Sequence, residues 1–271
     1  MSRAPAAGCV ATKKRRWPRC PPVHDHVARG LAPSPALGPE VEDVVTLRLD
    51  EFFASANALP VADLDQIFGT GGIVVVAPHP DDETLGCGGL IALASQLGRN
   101  IQVVVISDGV GSHPNSRRYP PDKLRDLREG ETRAALSALG AVGENLTFLR
   151  LPDRFVPSSG TEAQRAAAAI ANVACAIDAT ALAVTWPHDP HCDHLAAWHL
   201  VRQACLRLHG GIRLLTYPIW GHILPPDTTF ERAPIGHRLD VSSAVDSKRK
   251  AIRAHASQVS MLIADVRRAL C

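Results

Sequence analysis

Apolar runs alternate with amphipathic segments along most of the chain. Five short runs are almost wholly apolar, and they lie within residues 71–78, 100–109, 145–153, 181–190 and 212–219. Four longer segments carry apolar residues at helical spacing, and they lie within residues 82–98, 121–140, 162–177 and 193–210. Strands that are apolar throughout and alternate with helices are typical of a mostly parallel sheet covered by helices on both faces. The pattern therefore predicts a three-layer α/β fold.

Proline and glycine mark the predicted helix ends. Pro121 stands at the start of the second helix, where its missing N–H costs nothing, and Gly98 and Gly140 follow the first and second helices. In Rossmann-like sheets of this kind, ligands bind just beyond the carboxyl ends of the strands. We expect the active site at that edge of the sheet.

The first forty residues differ from the rest of the chain. Their opening stretch, "MSRAPAAGCVATKKRRWPRCPP", is basic and rich in proline, and it lacks the apolar core of a secretory signal. We expect residues 1–40 to be a disordered N-terminal segment. Residues 41–271 are enough for a single domain with a sizeable core.

Composition narrows the classes of partner. The 29 basic and 27 acidic residues leave a net charge of +2, which gives no reason to expect nucleic acid. No apolar run approaches the roughly 18 residues of a membrane span. The seven cysteines are scattered and form no C-x-x-C pair, which favours a reduced, cytoplasmic setting over a disulfide framework. The sequence indicates nothing about the oligomeric state.

Two clusters of histidine and carboxylate follow the first and fourth predicted strands. The first is "HPDDE", residues 79–83, and the second is "HDPHCDH", residues 188–194. Parallel strands end at one edge of a sheet, so we expect the clusters to meet there. Imidazole and carboxylate are zinc ligands, and a catalytic zinc has three protein ligands and one open position. The surplus groups would transfer protons or orient the ligands.

Each cluster taken alone also has a simpler interpretation. Asp81 or Asp82 could cap the N-terminus of the first helix. The second cluster could be a polar surface loop. Two such clusters at equivalent strand ends are hard to explain as caps, and this favours the metal site.

The motifs "PHPDDETLGCGG" and "HDPHCDH" resemble the A-H-P-D-D-E and H-P-D-H signatures of the PIG-L/LmbE-like family of zinc-dependent N-deacetylases. The similarity continues through "SDGVGSHP", "REGETRAALSALG", "LRLPD", "YPIWGH" and "KRKAIRAHASQ". Family members remove acetyl from N-acetylglucosamine units. The resemblance implies an LmbE-like hydrolase that deacetylates a small N-acetylated amino sugar or its conjugate. It also implies one Zn²⁺ per chain, or another divalent metal in its place.

The resemblance assigns roles to five residues of the two clusters. His79, Asp82 and His194 would bind the metal. Asp81 would be the general base that takes a proton from the attacking water. His191 would stabilise the oxyanion or protonate the departing amine. Amide hydrolysis needs each of these contributions, because its nucleophile and its leaving group are both poor at neutral pH.

Further residues have two interpretations each. Arg128 matches a family arginine that contacts sugar hydroxyls, or it forms a helix-surface ion pair with Glu131. Asp153 matches a sugar-binding acid, or it begins a turn. Asp193 orients a ligand histidine, or it caps a helix.

Three positions depart from the family pattern or have no derived role. Cys192 replaces the usual proline between the histidines, and Asp189 stands where some members have a tyrosine that assists catalysis. His255 in "AHASQ" matches a family motif without a role that we can derive.

Two other functions compete with deacetylation. One is an amidase that cleaves a larger acyl or thiol conjugate at the same zinc site. The other is a non-catalytic module that binds a sugar or a nucleotide. Asp81 and His191 contribute little to binding alone, and no G-x-G-x-x-G follows the first strand, so the sequence disfavours the binding module.

Overall fold

The structure is a computed structural model that describes residues 46–141, 143–208 and 211–266. The predicted N-terminal segment, residues 1–40, lies outside the described residues, and so does the domain boundary predicted at its end. Among the helices that the structure describes, none is both long enough and apolar enough to cross a bilayer.

The five predicted strands and four predicted helices are present in the predicted order, and short elements that the pattern did not predict precede and follow them. The strands are β1 (Leu47–Arg48), β2 (Val61–Ala62), β3 (Gly72–Ala77), β4 (Ile101–Ser107), β5 (Leu146–Leu151), β6 (Ala179–Thr185), β7 (Arg213–Tyr217), β8 (Thr229–Phe230) and β9 (Arg238–Leu239). The helices are α1 (Leu49–Ala58), α2 (Leu64–Phe68), α3 (Asp82–Gln96), α4 (Pro121–Ala138), α5 (Gly160–Ala176), α6 (Cys192–Cys205), α7 (Val245–Ala254) and α8 (Ala256–Val259). The predicted elements are β3 to β7 and α3 to α6.

Five parallel strands form the central sheet, in the order β5-β4-β3-β6-β7. The predicted parallel α/β architecture is therefore confirmed. The chain proceeds outward from β3 through β4 to β5 and then returns to begin β6 on the other side of β3. The neighbouring ends of β3 and β6 form a topological switch point, where sheets of this kind bind ligands.

The central strand β3 is buried on both faces, which explains its continuous apolar sequence. Ile73 and Val75 belong to the core cluster that includes residues of α3 and α4. Val74 and Val76 point the other way and belong to the cluster that includes residues of α5 and α6. Side chains alternate along a strand, so an unbroken apolar run serves both helical layers.

One helix is shorter than its pattern predicted. The apolar spacing extended the fourth helix to residue 210, but α6 ends at Cys205 and a turn follows. Leu206, the first residue of that turn, is 83% exposed. Its side chain continues the helical spacing without any buried surface to pack against, so nothing stabilises a further helical turn there.

Two close contacts hold elements around the carboxyl edge of the sheet. A Cβ on Gly86 of α3 would lie 2.2 Å from the Tyr217 ring, so only glycine lets this helix approach β7. The Tyr217 hydroxyl donates to the carbonyl of Val76, at 2.8 Å. On the outer side of α3, α7 packs along both α3 and α4. The C-terminal segment is thereby brought beside the two polar clusters.

Candidate metal centre and active site

The two histidine–carboxylate clusters meet at the adjacent ends of β3 and β6. Asp82 Oδ2 lies 3.1 Å from His79 Nδ1 and 3.4 Å from His194 Nε2. The Asp82 oxygen also accepts the backbone N–H of His79, at 3.0 Å. One carboxylate oxygen of the first cluster thus lies between a nitrogen of each histidine, as the parallel order of the strands requires.

The donor set and its spacing suit a zinc ion. Two ligand atoms of a tetrahedral zinc are about 3.3 Å apart, given metal–ligand distances of about 2.0–2.1 Å. Asp82 Oδ2 is separated from the two ring nitrogens by 3.1 and 3.4 Å. The buried Nε2 of His194 has no hydrogen-bond partner among the residues that the structure describes. Its ion-pair contact with Asp82 Oδ2, at 3.4 Å, does not have the geometry of a hydrogen bond, and a metal ion would bind this nitrogen more closely.

Each histidine has a second carboxylate on its other ring nitrogen. His79 Nε2 lies 3.1 Å from Asp193 Oδ2 and 3.4 Å from Asp153 Oδ1. His194 Nδ1 lies 3.0 Å from Asp189 Oδ2. Histidines that bind metals are oriented in this way, because the outer carboxylate fixes the tautomer and makes the inner nitrogen a better donor.

Asp189 is a functional candidate that the sequence interpretation missed. From the sequence, Asp189 is distinguished only as a substitution for a tyrosine found in some members of the family. Besides His194, its buried carboxylate accepts the backbone N–H groups of Ile219 and Trp220, at 2.9 and 3.1 Å. Its position in the sequence could have indicated this role, because Asp189 is an acid just beyond the end of β6 and five residues before His194.

Helix α6 is capped by a histidine, not by Asp193. His191 Nδ1 accepts the backbone N–H of Asp193, at 3.1 Å. The Asp193 carboxylate accepts N–H groups of Arg154 and Val156, at 2.7 and 3.1 Å, and contacts His79. The capping interpretation of Asp193 was therefore wrong, and its carboxylate lies against His79, a candidate metal ligand, instead.

Opposite charges stabilise one another within the cluster. Burial opposes charge on His194, but Asp82 and Asp189 raise its pKa to about 9. Burial likewise opposes charge on His79, yet hydrogen bonds to Asp153, Asp193 and Asp82 raise its pKa well above the usual value. The pKa of Asp82 falls far below its usual range despite burial, because both histidines favour the carboxylate. In the metal-free protein the cluster is a set of mutually neutralising charges.

Asp81 differs from Asp82 in both backbone and environment. Its backbone φ is 135°, a value that residues other than glycine rarely adopt. Backbone strain of this kind costs about 1–3 kcal/mol. It stands at the N-cap position of α3, but its side chain makes no capping hydrogen bond. Burial raises the pKa of Asp81 to about 6, even though Arg128 opposes the rise. A carboxylate with such a pKa can exchange protons near neutral pH.

Arg128 supports the turn that carries Asp81. Its Nη2 lies 3.3 Å from Asp81 Oδ1 and also donates to the Pro80 carbonyl, while Nη1 donates to Gly109 O at 2.7 Å. Glu131 instead accepts hydrogen bonds from the Ser257 N–H and hydroxyl. The alternative of a solvated ion pair between Arg128 and Glu131 was therefore wrong, since Arg128 is only 3% exposed.

His191 is electrically neutral at neutral pH in this structure. Burial and the positive charges of His79 and His194 lower its pKa to about 4. Because Nδ1 accepts the Asp193 N–H, the proton of the neutral ring is on Nε2. The ring can therefore donate one hydrogen bond from Nε2, but it carries no spare proton.

A cavity of about 260 Å³ opens onto these groups. The predicted residues that line it are His79, Asp81, Asp82, Arg128, Asp153 and His191. His194 is fully buried behind them. Asp153 Oδ2 also accepts the Gly111 N–H, at 2.8 Å. The larger apolar side chains that line the cavity are those of Leu85, Ile219, Trp220, Ile252 and Val259.

Two polar residues of the second motif lie outside the cavity, and two other polar residues line the cavity although the sequence predicted no role for them. His188 is exposed and packs against Trp186, and the exposed Cys192 has its sulfur 3.6 Å from the Arg154 carbonyl oxygen. Arg154 and His255 line the cavity, although no role was derived for either from the sequence.

Comparison with known proteins agrees with the motifs. Residues 74–205 match the model of the family described as PIG-L, GlcNAc-PI de-N-acetylase. The chain is therefore similar to this family over these residues, which are nearly half of its length. The resemblance drawn from "HPDDE" and "HDPHCDH" is thereby confirmed.

Curated proteins that are similar to this chain are named as deacetylases. The chain is 27% identical over 139 residues to the 1D-myo-inositol 2-acetamido-2-deoxy-alpha-D-glucopyranoside deacetylase of Kineococcus radiotolerans. That match covers 50% of this chain and only 38% of the relative's length. Identity to the enzyme of the same name from Mycobacteroides abscessus is 28% over 233 residues, which is 71% of this chain and 83% of the relative.

A solved structure has the same fold. The N,N'-diacetylchitobiose deacetylase from Pyrococcus horikoshii superposes with a TM-score of 0.53 and 19% identity, over 69% of this chain and 70% of that chain. At this identity the likeness concerns the fold alone.

Proposed function

We propose that this protein is a zinc-dependent hydrolase that removes the acetyl group from an N-acetylated amino sugar of the N-acetylglucosamine type, or from its conjugate. One observation carries the proposal. A strained, buried Asp81 and His191 line the same cavity as His79 and Asp82, two of the three proposed metal ligands. The names of the curated relatives support the same activity and the same class of sugar.

His79, Asp82 and His194 would hold one zinc ion per chain, with Asp189 and Asp193 orienting the two rings. Two imidazoles and one carboxylate are a common ligand set of catalytic zinc. The chemistry that such an ion supplies when bound is acidification of a water molecule and polarisation of an amide carbonyl.

Asp81 would accept the proton of the attacking water. Its pKa of about 6 leaves the carboxylate ionised at neutral pH and still basic enough to take a proton. His191 would donate from Nε2 to the negative charge that develops on the acetyl oxygen. Because neutral His191 carries no spare proton, we assign protonation of the departing amine to Asp81, which returns the proton that it has taken.

The cavity favours a small substrate. Its volume of about 260 Å³ is below the roughly 300–1,000 Å³ of sites for drug-sized ligands, which suits a single sugar ring and disfavours a bulky acyl group. Arg128 and Asp153 line its polar side, and we propose that they contact sugar hydroxyls. We propose that the protein is located in the cytoplasm.

The test combines metal analysis with amine release from a panel of N-acetylglucosamine conjugates, with and without a chelator. We expect about one zinc per chain and chelator-sensitive release. His79→Ala, Asp82→Ala and His194→Ala should each lose the metal and the activity. His188→Ala is the matched control, because this exposed histidine of the second cluster packs against Trp186 and should change neither.

Full metal occupancy in all three ligand variants would contradict the metal site. Release of longer acyl groups in preference to acetyl would favour the alternative function, an amidase, over the deacetylase. Binding of the sugars without any turnover would leave the binding module as the better description.

A further inference from the structure

The peptide group between Pro80 and Asp81 is held on both sides. Its carbonyl accepts a hydrogen bond from Arg128 Nη2, and its N–H donates to Glu83 Oε2 at 3.0 Å. The orientation of this peptide plane determines φ of Asp81, which is 135°. A residue stays in such a conformation only where its surroundings impose it. The two hydrogen bonds are therefore candidates for what imposes it.

Glu83 is fully buried, and its carboxylate is satisfied by three groups. Oε2 accepts the Asp81 N–H, and Oε1 accepts the Thr84 hydroxyl at 2.7 Å. The third group is His255, whose Nε2 lies 3.2 Å from Glu83 Oε1. A buried carboxylate keeps its position only when such partners compensate for the loss of water.

His255 comes from a distant part of the chain and lies at the wall of the cavity. It follows the last residue of α7, 172 positions after Glu83, and it is 1% exposed. Its Nε2 also lies 3.2 Å from the Thr84 hydroxyl. Within the described part of the chain, its buried Nδ1 has no hydrogen-bond partner. The contacts of Nε2 with Glu83 and Thr84 are thus the polar contacts that orient the ring.

The same segment has a second, separate attachment. Ser257 donates from its N–H and its hydroxyl to Glu131 of α4, at 2.7 and 2.6 Å. This attachment holds the segment to α4 without touching Glu83 or Asp81. The contact of His255 with Glu83 is therefore not required merely to dock the C-terminal segment.

We infer that His255 is a positioning residue, which holds Glu83 so that Glu83 fixes the Pro80–Asp81 peptide and aims the Asp81 carboxylate at its reaction partner. This assignment rests on the proposed function, because Asp81 is the proposed base. It gives a role to the "AHASQ" motif. His255 acts indirectly, through its contact with Glu83 and the hydrogen bond from the Asp81 N–H to Glu83. We assign it no contact with the metal or the reacting atoms.

The first test compares substitutions in the "AHASQ" segment. His255→Leu removes the Nε2 donor, and we expect kcat to fall about 10- to 100-fold with zinc content and KM nearly unchanged, since misplacement of a catalytic group by about 1 Å costs up to about 10²-fold. His255→Gln carries an amide nitrogen near the position of Nε2 and should recover most of kcat. Ser257→Ala loosens the other attachment of the segment and should leave kcat within about twofold.

Equal losses in His255→Leu and Ser257→Ala would show that the segment is merely docked, and would overturn the positioning role. So would loss of zinc in His255→Leu, or full activity of that variant. If the wild-type protein itself releases no amine from any sugar on the panel, the proposed function fails, and the structural test below still decides about His255.

A double-mutant cycle with Asp81→Asn tests whether His255 acts through Asp81. Two substitutions that affect one group are not additive. His255→Leu should therefore lower the residual rate of Asp81→Asn by less than about threefold, and multiplication of the two losses would overturn the proposal. Crystal structures of the zinc-loaded wild-type protein and His255→Leu provide a measurement independent of activity. We expect the Asp81 N–H to leave Glu83 in the variant, and an unchanged peptide would contradict the inference.

Discussion

At the residue scale, the adjacent carboxylates of Asp81 and Asp82 have different chemistry because their neighbours differ. Asp82 faces His79 and His194, which keep it ionised. Asp81 faces Arg128, and burial raises its pKa to about 6. Nothing in the dipeptide itself distinguishes them. The strained backbone at Asp81 turns the two side chains towards different partners.

Substitution of either aspartate by asparagine should separate ligand from base. Asp81→Asn should keep about one zinc per chain and still bind substrate, but lose about 10²–10⁴-fold in kcat, because an amide cannot accept the proton of water. Asp82→Asn should lose zinc affinity. Metal analysis beside kcat for both variants checks this, and the opposite pattern would mean that the two roles are reversed.

The pH dependence of kcat should follow the ionisation of the Asp81 carboxyl group. Because the base must be ionised, kcat should rise with pH and reach half its maximum near pH 6. Arg128 lowers the pKa of Asp81, so Arg128→Met should move this half-maximal point to higher pH. Arg125→Met on the same helix is the control, since Arg125 pairs with Asp122 and Asp126 on the surface. An unshifted profile in Arg128→Met would exclude Asp81 as the group that titrates.

At the element scale, the site depends on how strand ends and helix starts are held together. Asp189, just beyond β6, joins His194 to the backbone of residues 219 and 220 beyond β7. Glycine at position 86 lets α3 lie against Tyr217 of β7. Both features act between neighbouring strands, and each can be tested separately.

Asp189→Ala should weaken zinc binding about 10- to 100-fold, the usual effect of removing the carboxylate behind a ligand histidine. Competition with a coloured chelator measures this affinity. Asp246→Ala on the exposed surface of α7 is the control and should bind zinc as the wild type does. Equal zinc affinity in the two variants would show that Asp189 does not orient His194 for metal binding.

Two glycines on helices should respond in opposite directions to the same substitution. Gly86→Ala should lower the free energy of unfolding by about 1–3 kcal/mol, because the new methyl group overlaps the Tyr217 ring. Gly130→Ala on α4 meets no atom within 4 Å and should raise the free energy of unfolding by about 0.5–1 kcal/mol. Denaturant titration measures both. Stabilisation by Gly86→Ala would mean that α3 and β7 are farther apart than described.

At the scale of the whole molecule, metal binding, protonation and stability are linked. The folded-state pKa of His194, about 9, is above the unfolded value of about 6.5, so its contribution to stability is complete below pH 6.5 and is lost as pH rises through 9. Asp82 has a lowered pKa, so its contribution is present above about pH 4 and is lost as pH falls. Zinc requires neutral histidines, so its binding must release protons.

We therefore expect the increase in Tm on adding zinc to be larger at pH 8 than at pH 6. Calorimetric titrations in buffers of different ionisation enthalpy should show proton release at pH 7. His188→Ala should behave like the wild-type protein, since this ring lies outside the ligand set. A zinc-induced shift that is the same at both pH values would contradict the protonated state assigned to His194.

The sequence by itself determined the central strands, the helices between them and the two histidine–carboxylate motifs. Apolar runs such as the one in β3 specify buried strands whatever their neighbours, because both faces of a parallel sheet exclude water. The alternation with helices places both clusters at one edge. His79, Asp82 and His194 could therefore be predicted to converge. The structure places Asp82 Oδ2 within 3.4 Å of a ring nitrogen of each histidine.

Only the tertiary structure decided which partner each buried polar group uses. Asp189, Asp193 and Arg128 each had two local interpretations or none, and their contacts lie on other elements. His255 reaches Glu83 across 172 positions of sequence. Hydrophobic periodicity is a local property of the chain, whereas the partner of a buried charge depends on which distant elements pack beside it. A carboxylate that must lose its water accepts whichever donor the fold brings into reach.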